Sequence, residues 1–181
     1  MARVPYLTRE ELPPDKQGIY DRIAEPRGGI TNVFRAMLNS PDAASVVAEV
    51  GAYVRYGSAL DPMVKEIAIL STAREQRAHS EWAHHVPLAR EAGVGEDVIA
   101  AIRSGRAPMG LPAREGMYAQ AAREIVSQEG LSDRTYQALE HLLGTRSTLD
   151  FIVLVAYYTA VSRIISALRV ELEEGLESDL P

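Results

Sequence analysis

Helix punctuation recurs along the whole chain and leaves little room for strands. Ser40-Pro41 and Asp61-Pro62 each set a capping side chain directly before a proline suited to a first helical position, and Thr8 with Glu11 has capping-box spacing. Gly57, Gly93, Gly105, Gly130 and Gly144 fall just past apolar segments of helical period, where a left-handed terminus costs glycine least. These signals predict an all-α chain of about eight helices. Helices are expected after Thr8, from Thr31, after Ser40, after Asp61 and over the segment Arg74 to Ala89. Further ones are expected after Gly95, from Pro112 toward Glu129, after Ser132 and, at length, after Ser147. Short loops favour antiparallel packing of successive helices into a bundle.

A chain of 181 residues suits one domain with a substantial core. Within it, residues 1–39 read as an amino-terminal helical extension, 40–105 as the half carrying the polar motifs, and 112–175 as a second helical half. The plausible linkers are "RGG" (Arg27 to Gly29) and "SGRAPMGLP" (Ser104 to Pro112). Across the second, "SALDPMVKEIAIL" and "EGLSDRTYQALEHLL" hint at a weak internal duplication, although similar helical punctuation alone can produce that likeness.

The formal charge of −6, without any block of Lys and Arg, gives no footprint for a phosphate backbone or an anionic membrane, so neither nucleic acid nor membrane is expected as a partner. The apolar run "FIVLVAYYTAV" is bounded by Asp150 and Arg163, short of the roughly 20 residues a bilayer demands, and reads as a buried helix. Acids and prolines occupy the start of the chain, where a signal peptide needs an apolar run, and a cytoplasmic protein is expected. There is no cysteine, which closes disulfide, thiolate-metal and sulfur redox chemistry to the chain's own side chains.

Chemistry concentrates between Pro62 and Ala89. After Asp61, Met63, Ile67, Leu70 and Ala73 form an apolar stripe, and Glu66 projects into the middle of that arc. It either faces the core or pairs at a seam with an arginine such as Arg74; in both cases an isolated buried charge is too costly to keep. In the next helix Ala78, Trp82, His85 and Ala89 make the apolar face, and Glu81 lies about 60° from its centre. Glu81 and His85 are one turn apart, where a carboxylate can orient an imidazole or merely touch it at the surface. His79 and His84 are expected on the flanks or outside. Antiparallel neighbours would bring Glu66 toward Glu81 and His85, and two carboxylates near one imidazole spread their pKa values into an acid and a base. Glu81-x-x-His84 is half of a di-iron motif without a second copy, so no metal and no cofactor is expected. On the long terminal helix Tyr157, Tyr158 and Arg163 are either structural or line a small pocket, the arginine then holding a carboxylate by its fork.

The stretches "VKEIAIL" and "EWAHHVPLAREAGV" resemble the carboxymuconolactone decarboxylase family, which shares its fold with alkylhydroperoxidase D. The resemblance covers roughly Ser40 to Arg103 and, more loosely, the terminal helix. It implies an alkylhydroperoxidase D-like helical bundle, a homo-oligomer such as a trimer or hexamer, and sites near helix and subunit boundaries. Peroxidase members carry a glutamate, a Cys-x-x-Cys pair and a histidine; the two cysteine positions are here Ala78 and Glu81, and the histidine position is His85. The decarboxylases carry Glu-x-x-x-His, which Glu81 and His85 reproduce. The family's terminal Tyr-x-Gly-x-Pro is replaced by Tyr158-Thr159-Ala160-Val161-Ser162, so the substrate does not carry over.

Together the residues and the resemblance predict a cofactor-independent lyase or isomerase acting by proton transfer on a small carboxylated or lactone substrate. His85 is the expected proton donor, Glu81 its orienting partner and Glu66 the residue setting local charge or relaying the proton. Trp82, Tyr157 and Tyr158 are expected to shape an apolar wall, with Arg163 on a substrate carboxylate. The rivals are a hydroperoxide reductase using an external thiol or a bound redox cofactor, and a non-enzymatic oligomeric binding protein with a buried structural network.

Overall fold

Half of the capping box at Thr8 forms, its N–H donating to Glu11 Oε2 at 2.7 Å, but no helix grows from it. Pro13 and Pro14 follow, and prolines beyond the first turn supply no N–H to a helical ladder. The expected helix after Thr8 is therefore a set of turns, and the first helix, α1, spans Gln17–Ala24. The computed structural model describes residues 1–181. A 3₁₀ turn, Glu25–Arg27, and the short α2, Asn32–Met37, lead into α3, Pro41–Ala52, which begins on Ser40-Pro41 as its sequence predicts. The chain then widens into a π-helical turn, Tyr53–Gly57, whose last residue does not adopt the left-handed conformation expected of it.

Asp61 caps α4, Pro62–Gln76, accepting from the Met63 N–H at 2.9 Å. Next come α5, His79–Glu91, α6, Glu96–Arg103, and α7, Ala113–Val126. The last helix, α8, runs Asp133–Leu168 and is broken at Gly144, whose φ of 76° and ψ of 161° lie outside the helical region and are open to glycine. Its two limbs are the two expected carboxy-terminal helices, the second starting at 145 rather than after Ser147.

Helix α4 is buried nearly all round, and this makes it the hub of the bundle: α5, α7 and α8 pack on it. Ile67, Leu70, Trp82, Phe151 and Leu154 anchor the core they share. A second, smaller core joins Ile19, Ile23, Val33, Phe34 and Ala48 of the amino-terminal helices to Val161 and Ile165 of α8. By length and composition α8 could cross a bilayer, yet it contributes side chains to both cores. The carboxy-terminal tail, residues 169–181, returns along α5 and buries Leu180 in the larger core.

Candidate active site

The seam between the two cores holds a cavity of about 430 Å³. One wall is α5 with Ser80, Glu81, His84, His85 and Leu88; the opposite wall comes from the amino-terminal extension, with Ile30, Val33 and Phe34. Tyr157, Tyr158 and Val161 of α8 form the floor, Arg27 and Arg55 enter from the sides, and Glu173 of the tail reaches the rim.

Glu66, Glu81 and His85 converge as the helical periods predict. His85 is 3% exposed and has a carboxylate at each ring nitrogen: Nδ1 is 2.8 Å from Glu66 Oε2, while Nε2 is 3.7 Å from Glu81 Oε2. The first distance is a hydrogen bond and the second is not. The orienting carboxylate is thus Glu66, from the neighbouring helix, rather than Glu81 one turn away as the sequence suggested. A neutral ring that donates from Nδ1 to Glu66 keeps its lone pair on Nε2, on the side of Glu81. Tyr158 packs edge-on against the ring, with centroids 5.1 Å apart, and limits its rotation.

Glu81 is buried and makes no hydrogen bond within 3.5 Å. Burial lifts its carboxyl above the ordinary carboxylate range, against the pull of His85, His84 and Arg55. Burial also drives the Tyr158 hydroxyl well above its ordinary value and that of Tyr157 up to about 12, so both remain neutral donors. Gly51 lets Tyr157 approach: a Cβ there would collide with the tyrosine hydroxyl.

Glu66 does not line the 430 Å³ cavity. It opens on an adjoining one of about 300 Å³, and Arg55 and Leu88 form part of the wall of both. The Glu66–His85 hydrogen bond therefore passes from one cavity to the other. Arg74, the alternative partner for Glu66, donates instead to the Arg103 carbonyl at 2.8 Å.

His84, expected at the flank, lies on the cavity and is joined to Glu173 at 2.9 Å. Its hydrogen bond with Glu173 raises the imidazole above its ordinary value despite partial burial. Burial alone would raise Glu173, but hydrogen bonds from His84 and the Asn32 N–H and the charge on His84 hold it down at about 2. Two other expected residues are elsewhere. Trp82 points into the larger core and donates its indole N–H to Asp179 of the tail at 2.7 Å, because it is rotated about 100° from Glu81 on α5. Arg163 lies on the exposed face of α8, since the five residues from Tyr158 turn it about 140° from the cavity side. Missing from the sequence reading were Arg27, Arg55 and the whole amino-terminal wall. No three His, Asp or Glu side chains are arranged to hold a metal ion.

Residues 41–124 match the carboxymuconolactone decarboxylase family. Comparison with curated proteins returns no match. Among solved structures, the chain is similar to the alkylhydroperoxidase AhpD core of an uncharacterized peroxidase-related protein from Ralstonia eutropha JMP134, with a TM-score of 0.78 and 16% identity over 96% of this chain and 93% of that one. It is similar to an uncharacterized peroxidase-related protein from Silicibacter sp. TM1040, with a TM-score of 0.76 and 16% identity over 97% and 93%. It is also similar to a variant of the debrominase Bmp8 in complex with 2,3,4-tribromopyrrole, with a TM-score of 0.76 and 14% identity over 94% and 91%.

Proposed function

From its membership of the carboxymuconolactone decarboxylase and alkylhydroperoxidase D-like superfamily, in a form without the cysteine pair, we propose that the chain is a cofactor-independent lyase or isomerase. It works by general acid/base proton transfer on a small carboxylated or lactone substrate. The observation that carries this reading is His85, fixed at Nδ1 by Glu66 and facing the protonation-prone Glu81 at Nε2 on the edge of a cavity. In a decarboxylation the bond to the departing carboxylate breaks, its electron pair moves into a conjugated carbonyl, and carbon dioxide leaves. The resulting enolate then takes a proton at carbon. In an isomerisation the pair first removes a proton from one carbon and returns it to another.

His85 Nε2 and Glu81 share the proton that moves, and Glu66 stabilises the imidazolium when it forms. The second cavity gives Glu66 a route for exchanging protons with solvent, which supports its role as relay. The size of the site suits a ring of few atoms, and the related debrominase binds a substituted pyrrole on this fold. The exposed apolar side chains Val46, Val50, Leu149 and Val153 support self-association into a trimer or hexamer. The test is incubation without thiol with carboxyl-labelled butenolide and β-keto acids in D2O. Labelled carbon dioxide, or deuterium at carbon, is expected. Peroxide consumption driven by added dithiol, with neither of those products, would favour hydroperoxide reduction instead.

A further inference from the structure

Four groups capable of positive charge border the 430 Å³ cavity: Arg27, Arg55, His84 and His85. Three are already used. His85 is hydrogen-bonded to Glu66 and His84 to Glu173. Arg27 is a structural clamp, donating to the Ile23 carbonyl at 2.8 Å and the Ala48 carbonyl at 3.1 Å while its guanidinium lies 4.8 Å over the Phe34 ring. Arg55 differs. Its guanidinium rests 5.1 Å from the Tyr56 ring and makes no hydrogen bond or ion pair with any protein group, although the residue is partly buried. A partly desolvated arginine with the Glu81 carboxyl near but no anion hydrogen-bonded to it is an arrangement that an incoming carboxylate would stabilise.

The backbone holds Arg55 in place. It is the central residue of the π-helical turn that ends α3, and Lys65 of α4 donates its Nζ to the Arg55 carbonyl at 2.8 Å. Such turns interrupt the helical register and re-aim side chains, often at functional sites. In a continued α-helix, Arg55 would lie elsewhere on the α3 surface.

We propose that Arg55 is the anion-anchoring residue of the cavity, and that the ligand is a small organic acid with an apolar body. Its carboxylate pairs with the Arg55 guanidinium, and its carbon skeleton lies along Val33, Phe34 and Val161 toward His85 and Glu81. The anchored carboxylate is one the reaction retains. A carboxylate leaving as carbon dioxide must shed its charge, and a guanidinium on it would stabilise the ground state more than the transition state. The substrate class is therefore a diacid that loses its other carboxyl group, or a monoacid that is isomerised.

This assignment rests on the cavity being the substrate site, and it is tested by binding, separately from turnover. Benzoate and its neutral isostere benzamide are titrated calorimetrically into the wild-type chain, Arg55→Gln and Arg55→Lys at low ionic strength. Benzoate is expected to bind the wild type about 10-fold or more tighter than benzamide, to weaken about 10- to 100-fold in Arg55→Gln, and to weaken less in Arg55→Lys; benzamide is expected to be indifferent to both substitutions. Equal benzoate affinity in wild type and Arg55→Gln, or benzamide binding as tightly as benzoate, overturns the proposal. So does the absence of benzoate binding to the wild type up to about 20 mM. Should Arg55→Gln not fold, the Arg55→Lys comparison decides by the same criteria. If benzoate binds through Arg55 while no acid undergoes carbon-proton exchange, the anion site stands and the proton-transfer reading fails.

Discussion

The Nε2 atom of His85 stands 3.7 Å from the Glu81 carboxylate, on the opposite edge of the ring from the 2.8 Å hydrogen bond to Glu66. One carboxylate fixes the imidazole and the other faces its free nitrogen. That asymmetry is what the proposed proton transfer requires, and it differs from a purely structural histidine, which has both nitrogens satisfied.

The tautomer is the first consequence. In the neutral form of the wild-type ring, nitrogen NMR should find the proton on Nδ1, the nitrogen hydrogen-bonded to Glu66, rather than on Nε2. In Glu66→Gln the amide can either accept from Nδ1–H or donate to a bare Nδ1, so the strict preference for the Nδ1 tautomer should be lost and the Nε2-protonated form should become populated. A neutral wild-type ring carrying its proton on Nε2 would contradict the geometry.

Glu81 yields a stability prediction with a definite sign. Its folded pKa is raised, so its contribution is fully present below the unfolded value of 4.5 and is lost as the pH rises through the folded value. Glu81→Gln keeps the shape and removes the charge that burial penalises. Its thermal midpoint should match the wild type below about pH 4.5 and exceed it at neutral to alkaline pH. A variant less stable than the wild type at pH 8 would mean that the ionised carboxylate is stabilised by the fold.

The tail over the cavity rim has its own pH window. The raised His84 contributes fully below its unfolded value of 6.5 and loses its effect as pH rises through its folded value, while Glu173 contributes above 4.5 and loses its effect as pH falls toward about 2. The two overlap between 4.5 and 6.5. Both side chains are close to a third exposed, so the pair contributes about 1 kcal/mol. Amide exchange of residues 169–181 should be slowest, after correction for intrinsic rates, inside that window, and Glu173→Gln should flatten the profile. Protection that ignores pH in the wild type would remove His84 as the tail's anchor.

Local periodicity accounts for what the sequence made legible. The start of α4 at Asp61-Pro62 and the inward aim of Glu66, Glu81 and His85 all follow from caps and a rotation of about 100° per residue. The same rotation, applied to Tyr158 and Arg163, would have placed that arginine off the cavity. Long-range contacts were not legible. His84 meets Glu173 across 89 residues and Trp82 meets Asp179 across 97, and neither tail residue carries a periodic signal. Arg55 was hidden for a different reason: a π turn breaks the register on which such reasoning depends.

The central claim is that His85 Nε2 and Glu81 move a proton to and from carbon, and hydrogen–deuterium exchange at the substrate's acidic carbon measures that step most directly. With a carboxylated butenolide in D2O, followed by proton NMR, the wild type should catalyse exchange. A correctly folded His85→Ala should lose about 10²- to 10⁴-fold of that rate. Exchange at the wild-type rate in His85→Ala would contradict the account.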